Sequence, residues 1–187
     1  MKRIVIFASG SGSNAENIIS FFREKPQVEV VAVLTNKSSA KVLERCDRLK
    51  VPAFYFNKTA FKDSNAVIQF LQGLQTDLIV LAGFLWKIPS NLIEAFPDKI
   101  INIHPALLPK YGGKGMYGER VHQAVKENDE TETGITIHYV NENYDEGAII
   151  FQAKVSLEPS EDAEAIAKKV HQLEYEHFPK VIEKLLS

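Results

Sequence analysis

The apolar positions of this chain fall into two alternating patterns. Short continuous runs, RIVIFA (3–8), VEVVAVLTN (28–36), AFYFN (53–57) and DLIVLAGF (77–84), read as strands. Between them, NAENIISFFREK (14–25), SAKVLERCDRLK (39–50) and SNAVIQFLQGLQ (64–75) carry apolar residues at helical spacing. The fourth run is nearly all apolar, as a central parallel strand covered on both faces must be. This order predicts an α/β fold, a doubly wound, Rossmann-like and mostly parallel sheet.

After residue 84 the pattern changes. LWKIPSNLIEAF (85–96) reads as a short helix with Pro89 near its start, and IINIHP (100–105) as a fifth strand. Residues 110–118 hold four glycines and predict an irregular loop. ERVHQAVKEN (119–128) is helical. GITIHYV (134–140) and AIIFQAKVSL (148–157) flank the loop NENYDEG, which predicts a C-terminal antiparallel hairpin on the same sheet. Residues 160–186 form a helix with an acidic, capping-box-like start, interrupted at Pro179. Repeats, low-complexity segments and a linker are absent, so a single domain over 1–187 is expected.

Composition narrows the function. Hydrophobic residues make up 45% and charged residues 25%, which is ordinary for a globular chain. The formal net charge of -2 gives no general affinity for nucleic acid or anionic membrane. Cys46 is the only cysteine, which excludes an internal disulfide and any multi-cysteine metal site. No segment approaches the ~18 apolar residues of a membrane span, and a cytoplasmic protein is expected.

The loop SGSGSN joins the first strand to the first helix. Gly10-x-Gly12-x-x-Ala15 matches the dinucleotide fingerprint in its Gly/Ala form. A dinucleotide site wants Asp or Glu at the end of the second strand, and here that strand ends Leu34-Thr35-Asn36-Lys37. The Walker lysine is missing too. What remains is a set of backbone N–H groups from Gly12, Ser13 and Asn14 at a helix N-terminus, suited to one phosphate. The competing account is a tight strand-to-helix turn with Ser13 or Asn14 as N-cap.

Asn102 and His104 stand two residues apart on the fifth strand and so share one face. They lie at its C-terminal end, where open α/β sheets place their ligand crevice. An amide can donate to a developing oxyanion, and a histidine can donate a proton or stabilise charge. A histidine tied to a backbone carbonyl beneath the Pro-Leu-rich turn explains the same residue without chemistry. His138 reads as a buried, hydrogen-bonded histidine in the hairpin. His122, His171 and His177 lie on helices and are expected to be partly exposed. Asp145 occupies a Tyr-Asp-Glu-Gly turn, a place that favours Asp and Gly for local reasons. Cys46, with Leu43 and Leu49 on its helix, reads as packing. Metal-ligand spacings such as H-x-H are absent, so no metal site is expected.

The segments IVIFASGSGSN (4–14), LAGF (81–84), INIHPALLPKY (101–111), GITIHYV (134–140) and DEGAIIFQAKV (145–155) occur here in one order across nearly the whole chain. In this the sequence resembles the folate-dependent phosphoribosylglycinamide (GAR) formyltransferase family of purine (IMP) biosynthesis. The N-I-H-P-x-L-L-P signature is shared with methionyl-tRNA formyltransferase and formyltetrahydrofolate deformylase. Those enzymes add a C-terminal and an N-terminal domain respectively, and a chain of 187 residues is expected to carry neither.

The resemblance implies a formyltransferase fold, with residues 1–100 as a phosphate-binding Rossmann-like half and 101–187 as a catalytic and folate half. It implies transfer of a formyl group from the co-substrate 10-formyltetrahydrofolate to the amine of GAR. Asn102, His104 and Asp145 match the catalytic trio, and Asp145 beside His104 is expected to raise the imidazole pKa. Gly12, Ser13 and Asn14 match the substrate-phosphate loop, and Glu174 the contact to the ribose hydroxyls. Leu85, Trp86, Lys87 and Ile88, with Asn102, match the folate site, where the family commonly has Met-Arg-Ile-Leu in that segment. Lys62 stands in for a folate-tail arginine absent from 62–65. The implied partners are two small molecules, with no nucleic acid, membrane or metal, for a monomer or homodimer.

Overall fold

The computed structural model describes residues 1–187. Seven strands form one sheet in the order β3-β2-β1-β4-β5-β6-β7. They are β1 (Lys2–Phe7), β2 (Val28–Thr35), β3 (Ala53–Tyr55), β4 (Leu78–Leu81), β5 (Ile100–His104), β6 (Glu132–Tyr139) and β7 (Ile149–Ser156). The pairings among β1 to β5 are parallel, whereas β5–β6 and β6–β7 are antiparallel. The doubly wound sheet with a C-terminal hairpin is therefore as the apolar pattern predicts.

Alternation along the strands feeds two cores. Ile4, Ile6 and Ala8 join one, together with α1 (Ser13–Phe22), α2 (Val42–Leu49), α5 (Glu119–Glu127) and α6 (Ala163–Leu186). Val5 and Phe7 join the other, with Leu71 of α3 (Ala66–Gly73) and Leu92 of α4 (Ser90–Ala95). Each fully buried Ile or Phe contributes on the order of 1.5–3 kcal/mol. Cys46 is buried in the first core, where burial pushes its thiol up to about 11. It packs, as expected.

The second core reaches Ile100 of β5 but includes no residue of β6 or β7, whereas Ile135 and Ile137 of β6 belong to the first. Asn102 and His104 share the face of Ile100, and His138 lies opposite Asn102 in the β5–β6 register. The sheet thus carries its polar side chains where the α3/α4 layer has ended. Loops, not helices, cover them.

Two expectations are corrected, and one short element was not foreseen. The helix over 85–96 shrinks to Ser90–Ala95. The residue before a proline is pushed out of the α region, so Pro89 takes the extended N-cap position and residues 85–88 are left as a loop. A helical turn over Thr59–Asp63 buries Phe61, and Asn57 Oδ1 accepts the Ala60 N–H at its start. Finally, α6 runs through Pro179 without interruption. Proline removes the N–H that would bond the carbonyl four residues back. That carbonyl, Tyr175 O, instead accepts Nδ2–H of Asn17 on α1 at 2.9 Å.

Candidate active site

The strand order reverses between β1 and β4, and a crevice opens there at the carboxyl ends of the parallel strands, as doubly wound sheets require. Its volume is about 610 Å³. It is lined by the loops after β1, β4, β5 and β6 and by α5 and α6. Ser9, just after β1, ties the segments that follow β2 and β4 to its own loop. Its hydroxyl donates to Asn36 Oδ1 at 2.6 Å and accepts the Leu85 N–H at 2.9 Å. Asn36, in the place of a dinucleotide-site carboxylate, is therefore spent on holding a loop.

At one end of the cleft, Gly12 sits at the N-cap of α1 with φ +74°, a conformation that favours glycine. A Cβ there would lie 2.3 Å from Val42 Cγ2, so only glycine lets α2 approach the loop. No side chain caps α1. Ser13 or Asn14 as N-cap is therefore corrected: Asn14 turns its Nδ2–H to Glu174 Oε2 at 2.9 Å instead. The first-turn N–H groups are left for an anion.

Glu174 is 4% exposed and its Oε2 also accepts Nδ1–H of His171 at 2.8 Å. That hydrogen bond raises the His171 pKa against the opposing effect of burial. Asn14 Oδ1 and His122 Nδ1 are buried nearby without partners. His122 is not partly exposed as its helical position suggests. The buried face of α5 is Val121, His122 and Val125, and burial, then His171, pull the imidazole down to about 4. His171 and His177 remain partly exposed, as expected.

Apolar residues shape the other part. Leu85, Trp86, Lys87 and Ile88 all line the cleft. Trp86 packs against Phe56 and Phe61, with ring centres 6.1 and 5.8 Å away. Lys87 Nζ lies 6.0 Å from the ring centre of Tyr144, on the loop after β6. Lys62 does not join them. It is exposed on the Thr59–Asp63 turn, whose inward residue is Phe61, and it is not part of the cleft wall.

Asn102, His104 and Asp145 meet in the same cleft. His104 Nδ1 lies 3.6 Å from Asp145 Oδ2, and His138 Nε2 lies 3.6 Å from Asp145 Oδ1. His104 Nε2 is 2.8 Å from Tyr111 O; a carbonyl only accepts, so this nitrogen carries the proton. By the same reasoning His138 Nδ1–H donates to Tyr139 O at 2.8 Å. His138 is then a buried, hydrogen-bonded histidine as predicted, and its Nε2 accepts from Asn102 Nδ2 at 3.1 Å. The second N–H of Asn102 is left for the cleft.

Burial is the largest influence on His104 and holds its imidazole below the ordinary histidine range. Asp145, the Tyr111 carbonyl and Glu174 pull upward and His138 downward. The expected net rise is thus corrected. Asp145 acts in the foreseen direction, but desolvation of an imidazole only 3% exposed outweighs it. Burial also raises the Asp145 carboxyl, yet His138, the His104 charge and the Gly113 N–H at 2.9 Å together bring it below the usual range.

The formyl transferase family model matches residues 2–182 of this sequence. The chain belongs to the formyl transferase family. It is 38% identical to the phosphoribosylglycinamide formyltransferase of Bacillus subtilis (strain 168), over all of this chain and 95% of that one. It is 36% identical to the enzyme of that name from Haemophilus influenzae, over 97% of this chain and 86% of the other. Among solved structures, glycinamide ribonucleotide transformylase 1 from Geobacillus kaustophilus superposes with a TM-score of 0.89 at 37% identity, covering both chains fully. No helix is long and apolar enough to cross a membrane.

Proposed function

We propose that this formyl transferase family member moves the formyl group of 10-formyltetrahydrofolate to the amine of GAR, a step of purine biosynthesis. The carrying observation is one cleft that joins Asn102, His104 and Asp145 to an uncapped helix N-terminus. The names of its relatives support the choice of substrate. The volume, about 610 Å³, and the largely apolar segment 85–88, with Lys87 its one charged residue, suit a pterin-sized co-substrate.

10-Formyltetrahydrofolate supplies an electrophilic formyl carbon, and attack by the GAR amine builds negative charge on the formyl oxygen. Asn102 meets that charge with its free amide N–H. His104 rests neutral, with Nε2–H committed to Tyr111 and Nδ1 bare. Nδ1 takes the proton that the amine loses and returns it to the departing folate nitrogen. Asp145 stabilises the imidazolium in between. Gly12, Ser13 and Asn14 hold the GAR phosphate on backbone N–H groups, and Glu174 accepts from the ribose hydroxyls, so remote binding orients the amine. Leu85 to Ile88 grip the pterin. Lys62, on the exposed turn, reaches for the glutamate tail outside the cleft.

The test is a paired assay with 10-formyltetrahydrofolate as donor and GAR or charged initiator tRNA as acceptor. Deformylated folate is followed optically and label transfer by counting. Formylation of GAR alone is expected. Label on tRNA, or folate released with water as acceptor, would replace the reading with tRNA formylation or deformylation.

A further inference from the structure

One short strip of backbone touches both members of the His104–Asp145 pair. Tyr111 O accepts Nε2–H of His104 at 2.8 Å, and two residues on, Gly113 N–H donates to Asp145 Oδ2 at 2.9 Å. The strip can run this close because Gly112 has no side chain. A Cβ there would lie 2.5 Å from Leu108 Cδ2 and 3.3 Å from Asp145 Cβ.

Tyr111 adopts φ 56°, in the left-handed region that a bulky aromatic residue rarely enters. Such a conformation persists only where surrounding contacts hold it. The anchor is at the far end of the same residue. Tyr111 Oη–H donates to Glu130 at 2.9 Å, just beyond α5, and Lys110 Nζ donates to the same carboxylate at 2.8 Å. The ring also packs on the first core.

We propose that Tyr111 and Glu130 are positioning residues for the formyl transfer assigned above: the Glu130-anchored strip 111–113 sets the tautomer of His104 and its alignment with Asp145. The chain of causes is short. Glu130 fixes the Tyr111 hydroxyl; the fixed side chain holds the left-handed backbone; that backbone aims the carbonyl at His104 Nε2. With Nε2 engaged, Nδ1 is the only nitrogen that can gain or lose a proton, and it faces Asp145. If the carbonyl swings away, the two tautomers interconvert and the proton acceptor is present only part of the time. A polar latch at the surface is thereby coupled to a proton position in a buried site. Neither Tyr111 nor Glu130 lines the cleft, so their effect on substrate binding is small.

The test uses full-length protein labelled with ¹⁵N-histidine, without substrate. The His104 ring should show a protonated Nε2 and a bare Nδ1 above its pKa. Tyr111→Phe removes one hydroxyl and keeps the packed ring. It should bring the two ring-nitrogen shifts together, the signature of mixed tautomers, and lower kcat roughly three- to tenfold with KM for both substrates within about twofold. The midpoint of the His104 titration should also fall, since the carbonyl supports the imidazolium. Asp145, His138, His122 and Glu174, the other titratable groups around this ring, keep their places in that variant. Glu130→Ala should repeat the effect, and Glu130→Gln, which retains an acceptor, should largely rescue it. A wild-type ring with Nδ1–H overturns the proposal. So does a Tyr111→Phe protein with wild-type ring shifts, or one whose loss appears only in KM or in thermal stability. The ring shifts are read without turnover, so a protein that fails to formylate GAR still decides the tautomer.

Discussion

Asp145 stands 3.6 Å from the bare Nδ1 of His104, too far for a hydrogen bond and close enough for a strong Coulomb contact. A lone pair facing a carboxylate is an unfavourable pairing. A proton on Nδ1 reverses its sign. Asp145 thus favours a proton arriving on Nδ1, against the burial that keeps the imidazole neutral at rest.

Asp145→Asn removes the charge that opposes desolvation. The His104 pKa, already depressed, should fall further. In the proposed mechanism neutral His104 is the working form, so activity is lost as pH drops through that pKa, and the acidic limb of kcat/KM should move to lower pH. Turnover should fall at every pH, because the imidazolium loses its counter-charge. An unmoved limb in a folded variant would leave Asp145 as a turn residue, a role its φ of 56° also fits.

His104→Ala should reduce kcat roughly 10²- to 10⁴-fold, the usual weight of a positioned acid–base group. Far-UV circular dichroism should be unchanged. Near-normal turnover would take His104 out of the chemistry.

Gly12→Ala tests the phosphate loop through its packing. The added methyl meets Val42 at 2.3 Å and the residue keeps φ +74°. Strain and overpacking together cost about 1–3 kcal/mol. The melting temperature should fall about 2–4 °C for each kcal/mol lost. KM for GAR should rise more than KM for the folate. Equal loss for both ligands would argue for global unfolding instead of a local anion site.

Asn14→Asp keeps the size of the side chain and sets a second carboxylate where Asn14 now donates to Glu174 at 2.9 Å. Two carboxylates at that distance repel, and the phosphate adds a third negative group. Calorimetry should record GAR binding weakened at least tenfold and folate binding nearly intact. Normal GAR affinity would displace the phosphate from this loop.

The sheet was legible because a strand buried on both faces leaves little choice of residues, as DLIVLAGF illustrates. Asn102 and His104 could be singled out from INIHP, which spends polar residues at the carboxyl edge of a parallel sheet. Asp145 joined them only through the family resemblance, since a Tyr-Asp-Glu-Gly turn is explained by local preference alone. Three things were not legible. The balance at His104 depends on burial, which no short stretch encodes. His122 looked exposed because its partner face belongs to α6, some fifty residues further along. The Tyr111 carbonyl and the Gly113 N–H are backbone groups, and every residue but proline carries both. Ser9 could have been found: a serine between strand and glycine loop, with Asn36 at the end of the next strand, is a pattern that spacing alone suggests.

Pro179 has a consequence for distance measured along a helix axis. A regular helix can slide on a neighbour by small steps, because its interior carbonyls are all satisfied and nothing marks one turn from the next. The proline marks one. The carbonyl it frees, Tyr175 O, is an address on α6, and Asn17 on α1 reads it. The residue before that address is Glu174, and three residues before Asn17 on α1 is its partner Asn14. The Asn14–Glu174 contact at the glycine-loop end of the cleft is thus indexed from one missing N–H. Replacing Pro179 with alanine would strengthen the helix and erase the mark.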